Sequence, residues 1–214
     1  PSSVKKTIIP HTNYNLIYKK KISKKKAKKI MNFDLNKKIC FAPCNIRPYK
    51  GIESLISIFF KLNLKNTILI IAGNGNKNYI KKIKKLIEIK SKNKISELIF
   101  IPEYISDKKI SIFLSACDFL AIDYRKEPAN PGTPILAMTF GKPIFGNGNG
   151  VMPHLINQKY MFFYKKKKDK LKILKKAFKS NCEKHSKLIL RHSKEYHDIN
   201  VVSKKFGIFI KKFL

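Results

Sequence analysis

At 214 residues with 43% hydrophobic side chains, the chain has the apolar content for a packed core, which excludes an intrinsically disordered protein. Its formal net charge of +34 comes almost wholly from lysine, since Arg47, Arg125 and Arg191 are its only arginines. Base reading and bidentate phosphate gripping favour arginine's planar fork, so the lysine excess reads mainly as solvated faces, with attraction to an anionic membrane or to nucleic acid as the competing readings.

The chain starts at Pro1 with neither a methionine nor a signal-like apolar region, which points to a fragment of a longer protein. Residues 7–9 read as a strand, 10–14 (PHTNY) as a loop, and 23–33 as a basic helix leading into the main domain. From Lys38 onward short apolar runs alternate with amphipathic segments, the pattern of an α/β fold on a doubly wound parallel sheet. Strands are predicted at 38–42, 67–72, 97–101, 119–123 and 143–145, with a sixth at 160–164, and their Ile, Leu and Phe content suits strands covered on both faces. Ile52, Leu55, Ile56, Phe59 and Phe60 recur at helical spacing and form one apolar stripe, as do Ile80, Ile83, Leu86 and Ile87. Ser106 with Asp107 caps a helix over 108–116 whose inner face is Ile110, Phe113 and Leu114. Beyond Lys165 the chain turns mostly helical and lysine-dense through Lys184, with a last amphipathic stretch at 201–214, and this tail is expected to pack back across a neighbouring domain or lie over the sheet. No apolar run approaches the roughly 20 residues of a membrane-spanning helix. Cys40, Cys44, Cys117 and Cys182 form no CxxC pair and have no zinc-ligand spacing; three sit in apolar contexts and read as core residues of a reducing compartment.

Parallel sheets bind ligands outside the carboxyl ends of their strands, so the loops there are where chemistry is sought. FAPCNIRPYKG, residues 41–51, ends the first strand and carries Arg47 and Lys50 just before a helix, where cations and backbone N–H groups together favour a phosphate. The plainer reading of that loop is a turn shaped by Pro48 and Gly51 with both cations in water. Asn130, Pro131, Gly132, Thr133 and Pro134 open the helix ending near Phe140: Gly132 removes a side chain where a ligand can approach, Thr133 can cap, and Pro134 suits the first turn. An ordinary N-cap accounts for this motif equally well. Glu127, one of only 13 acids, can orient a sugar hydroxyl or stabilise developing positive charge, or it can simply pair with Arg125 or Lys126. Gly73 and Gly75 lack the third glycine and the acidic partner of a nicotinamide-type fingerprint, while Gly146, Gly148 and Gly150 read as a cleft loop. His11, His154, His185, His192 and His197 have no metal-ligand spacing, so no metal site is expected, and no Ser or Cys sits in a nucleophile elbow.

Four segments, NIRPYKGIESLI, LIIAGNG, IFIPEYISDKKISIFLSACDFLAIDYR and PGTPILAMTFGKPIFGNGNG, follow one another over about 38–150. In that order they resemble the carboxyl-terminal half of a retaining family 4 glycosyltransferase with the two-Rossmann-domain (GT-B) fold. The resemblance implies a Rossmann-like donor-binding domain at 36–165 and a basic helical tail at 166–214. It also implies an interdomain linker region at 1–35, where PHTNY looks like the hinge and an amino-terminal acceptor domain ends. On the same ground, Lys50 contacts donor phosphates with Asn45 and Arg47 beside it, and Gly132 and Thr133 offer N–H groups to the diphosphate. The 102–105 loop, with Tyr104 and Ile105, holds the base, and Glu127, the catalytic candidate, falls near the first acid of the paired-acid pattern. Asn45 stands where the family commonly has arginine, and Leu136 where a glutamate holds the donor ribose. The implied enzyme moves a sugar from a nucleotide-sugar to a hydroxyl of a sugar, polysaccharide or lipid-linked acceptor, with retention and without metal or other cofactor. It would work in the cytoplasm or peripherally at the inner membrane face, with no specific nucleic acid as partner. A nucleotide-sugar-binding domain without catalysis and a polyanion-binding protein are the rival readings.

Overall fold

The structure, a computed structural model, describes residues 7–19, 21–125, 132–148 and 160–211. Helix α1 (Lys24–Ile30) leads into strand β1 (Lys38–Pro43), and the chain then alternates α2 (Ile52–Leu62), β2 (Thr67–Ala72), α3 (Lys77–Ser91), β3 (Glu97–Ile101), α4 (Asp107–Ala116) and β4 (Phe119–Ile122). Helix α5 (Gly132–Thr139) and strands β5 (Ile144–Asn147) and β6 (Phe162–Tyr164) follow, then three helices, α6 (Lys170–Lys179), α7 (Glu183–His197) and α8 (Ile199–Ile210). The strands form one sheet in the order β3-β2-β1-β4-β5-β6, and every pairing is parallel. This is the doubly wound, Rossmann-like architecture, and its strand order reverses between β1 and β4.

Both faces of the sheet are covered, which is why its strands are apolar at nearly every position. Successive residues of a strand point to opposite faces. Phe41, Ile70 and Leu120 therefore enter one core with Phe113 and Leu114 of α4 and Met138 of α5. Cys40, Leu69 and Phe119 enter the other with Phe59 and Phe60 of α2 and Phe178 of α6. The predicted α2 stripe is buried along its whole length, and Ser106 caps α4 by accepting from the Lys109 N–H. Cys40, Cys117 and Cys182 are buried and unoxidised, and burial pushes the Cys117 thiol up to about 12.

The expected strand at 7–9 does not form. An extended segment needs a neighbour for its N–H and C=O groups, and Ile8 is instead 90% exposed. Strand β5 runs on to Asn147 because β6 supplies a partner there, with Asn147 opposite Tyr164. The tail packs back on the sheet domain: α6 lies against α2 and β6, and α7 against α5. Among the described residues no helix is long and apolar enough to cross a membrane.

Candidate functional site at the strand switch point

The loops leaving β1 and β4 meet where the strand order reverses, because these two strands are direct neighbours. They are joined by their backbones: the Arg125 N–H donates to the Tyr49 carbonyl oxygen at 2.7 Å. Gly51 has φ of +70°, and a Cβ there would run into the carbonyl oxygen of Asp123, so the close approach of the two loops requires glycine. Lys50, half-buried, places its ammonium 3.7 Å from the centroid of the Tyr124 ring and 5.0 Å from that of Tyr49. No carboxylate among the described residues lies within ion-pair distance of it. Burial lowers its pKa, and the charge of nearby Arg47 acts in the same direction. A cation held by aromatic faces, with no acid beside it among the described residues, is ready for an external anion.

The Tyr124 hydroxyl donates to the Thr133 oxygen at 3.2 Å, which ties this cation to the first turn of α5. The helix begins at Gly132, so Thr133 stands inside the first turn rather than at the cap, and Pro134 occupies that turn as expected. Lys50 and the pair Gly132 and Thr133, far from it in sequence, thus surround one corner. Asn45 and Arg47 are exposed on its rim, where they line a shallow depression with Asn74, Gly75 and Asn76. Tyr104 and Ile105 lie on the β3–α4 loop at the same carboxyl edge, Tyr104 78% exposed and Ile105 packed against the core. Leu136 is half-buried against the same core. Glu127, Asn130, Pro131, Gly150 and His154 lie outside the described residues. Among the described residues no three His, Cys, Asp or Glu side chains come together as a metal-ligand group.

On the α2 side of the sheet, a buried polar network backs this corner. The Asp123 carboxylate accepts from Lys170 and from the Tyr164 hydroxyl, and Lys170 also donates to the Ser54 oxygen at 2.6 Å. Burial raises the Asp123 pKa, although Lys170 and Tyr164 pull the other way. The network lines a cavity of about 590 Å³ rimmed by Arg125, Lys165 and Lys167. Its carboxylate is one residue beyond β4 and next in sequence to Tyr124, so the network fixes the strand exit on which the Lys50 corner is built.

The profile of the family "Glycosyl transferases group 1" matches residues 23–191. The chain belongs to that family. Solved structures agree on the fold of this group 1 glycosyltransferase chain. A glycosyltransferase from Rickettsia africae superposes with a TM-score of 0.77 at 14% identity, over 96% of this chain and 56% of that one. WaaG, a glycosyltransferase involved in lipopolysaccharide biosynthesis, gives 0.72 at 14% over 95% and 55%. HepE from Anabaena, solved in complex with UDP and glucose, gives 0.73 at 15% over 94% and 55%. The chain therefore spans little more than half the length of these relatives. No curated protein sequence matches it.

Sequence reasoning on this glycosyltransferase chain did not find Tyr124, Tyr164 or Lys170. Tyr124 carried a usable signal, since it directly follows a predicted buried strand at the binding edge. Asp123 and Lys170 carried none: they are 47 residues apart and no local pattern links them.

Proposed function

We propose that this chain is the donor-binding part of a retaining family 4 glycosyltransferase, which transfers a sugar from a nucleotide-sugar to a hydroxyl acceptor in glycan or glycoconjugate biosynthesis. One observation carries the reading: Lys50, with no carboxylate partner among the described residues, rests on Tyr124, whose hydroxyl meets Thr133 in the first turn of α5. An ammonium, two hydroxyls and helix-start N–H groups at one point suit a diphosphate better than any neutral ligand. Negative charge grows on the leaving diphosphate as the glycosidic bond breaks, so fixed donors there lower the barrier without requiring a metal ion. UDP in the Anabaena HepE structure supports a nucleotide diphosphate as the ligand class. Within this reading, Asn45 and Arg47 are rim contacts, Tyr104 and Ile105 face the base, and Glu127 orients the transferred sugar.

The division into a linker at 1–35, a donor domain at 36–165 and a tail at 166–214 belongs to the same proposal, as does a sugar, polysaccharide or lipid-linked acceptor. Calorimetric titration of the chain with UDP-glucose is the test. Saturable binding that Lys50→Ala weakens at least about tenfold is expected, since hydrogen bonds to charged groups are among the stronger ones. Equal affinity in the variant would remove Lys50 from the site.

A further inference from the structure

The linker loop reaches the same corner from a direction the sequence did not indicate. Tyr14 lies along α5: its N–H donates to the Thr139 oxygen at 3.1 Å, at the end of the helix, while its hydroxyl stands beside Gly132, at the start. A Cβ on Gly132 would come within 2.5 Å of that hydroxyl oxygen. Gly132 therefore leaves room for a phenol as well as for a ligand.

The hydroxyl has a weak partner. It meets His11 Nε2 at 3.4 Å, the long limit for a hydrogen bond. His11 Nδ1 is 2.6 Å from the Thr12 carbonyl oxygen, which can only accept, so Nδ1 carries a proton there and Nε2 is the acceptor nitrogen of that imidazole tautomer. The tautomer set by Thr12 thus makes His11 an acceptor that steers the Tyr14 proton without holding it tightly. Burial raises the Tyr14 pKa, which keeps the phenol a donor at neutral pH.

The loop is anchored on its other side as well. The Asn13 N–H donates to the His197 carbonyl oxygen at 2.6 Å, Asn13 Nδ2 donates to the Ser193 carbonyl oxygen at 3.3 Å, and His197 Nδ1 is 2.7 Å from the His11 carbonyl oxygen. Helices α5 and α7 hold the linker between them, so Tyr14 is placed with little freedom to move away.

We propose that the Tyr14 hydroxyl is a ligand of the donor's diphosphate, carried from the linker to the first turn of α5 and positioned there by His11; this rests on the donor-site reading above. When the diphosphate enters, the phenolic O–H exchanges a long bond to imidazole for a bond to a charged oxygen, and the linker becomes part of the donor site. Donor occupancy and the placement of the linker are then linked.

Inorganic pyrophosphate and UDP-glucose serve as probes in calorimetric titrations of the whole chain, with Tyr14→Phe and Lys50→Ala beside the unaltered protein. Tyr14→Phe keeps the ring packing, so its melting temperature should not change, and pyrophosphate should bind roughly tenfold or more weakly. Pyrophosphate should also slow amide exchange over residues 11–14 in the unaltered chain and not in Tyr14→Phe. Equal pyrophosphate affinity in Tyr14→Phe, with Lys50→Ala weakened, overturns the role of Tyr14 and leaves the donor site standing. Binding of pyrophosphate without UDP-glucose overturns the nucleotide-sugar reading and leaves Tyr14 in place. Binding of neither probe by the unaltered chain overturns both.

Discussion

Asp118 shows how much one buried carboxylate organises. It is 4% exposed at the start of β4, accepts from the Ile39 N–H at 2.8 Å, and pairs with Lys24 at 2.7 Å and Lys38 at 3.4 Å. Burial alone would raise its pKa, but the two ammoniums and the backbone N–H outweigh burial and hold it below the ordinary carboxylate value. A lowered native pKa means the unfolded chain binds the proton more readily. The stabilisation is therefore present above about pH 4 and lost as pH falls through the native value. Asp118→Asn should be less stable at neutral pH, and its urea-unfolding free energy should change less than that of the unaltered chain as pH drops from about 4 toward 2. Parallel slopes for the two proteins would show that Asp118 has no lowered pKa. None of this was legible in the sequence, where Asp118 is simply a polar residue before an apolar run.

Among the elements, α6 is the one whose role depends most on tertiary contact. Its lysines Lys172, Lys175, Lys176 and Lys179 face water, whereas Lys170 at its head is 7% exposed and pairs with Asp123. Removing one member of a buried pair leaves the other charge without compensation, so Lys170→Met should lower the unfolding free energy by about 3 kcal/mol or more. Adding Asp123→Asn to Lys170→Met should recover much of that loss, and denaturant titration of Lys170→Met, Asp123→Asn and the double variant measures it. Strictly additive losses would mean the two groups are not coupled. The expectation of a mostly helical, lysine-dense run beyond Lys165 holds for α6. It could not single out one lysine among so many, because selection of Lys170 depends on the end of β4 lying beneath it.

For the whole molecule, the +34 charge is dispersed rather than concentrated. Exposed lysines such as Lys81, Lys84 and Lys85 on α3 and Lys175 and Lys176 on α6 lie on separate helices. Each lysine near an anionic lipid surface contributes on the order of 1 kcal/mol at low salt, within a screening distance of about 10 Å at 0.1 M. Peripheral attachment of the proposed enzyme to anionic membrane should therefore be wholly electrostatic. Co-sedimentation with phosphatidylserine vesicles should be strong at about 0.02 M salt and absent near 0.5 M. Retention at the higher concentration would require an apolar insertion that the charge argument does not supply.

Strand runs, helix stripes and the Ser106 cap were legible in the sequence because each is set by neighbours within a few residues. The glycines at the working edge are visible as breaks between those local runs, although what they make room for, Asp123 at Gly51 and Tyr14 at Gly132, lies far away in sequence. Lys50 and Gly132 could be named separately for that reason. Only the tertiary structure decided that they share a corner with Tyr124 and Tyr14, that Thr133 lies within α5 rather than capping it, and that Lys170 supports the strand exit from behind. Those outcomes depend on β1 and β4 being neighbours and on residues 11–14 being clamped between α5 and α7. Such contacts join residues from 79 positions apart, as for Cys40 and Phe119, to 186 apart, as for His11 and His197, and no local periodicity records them.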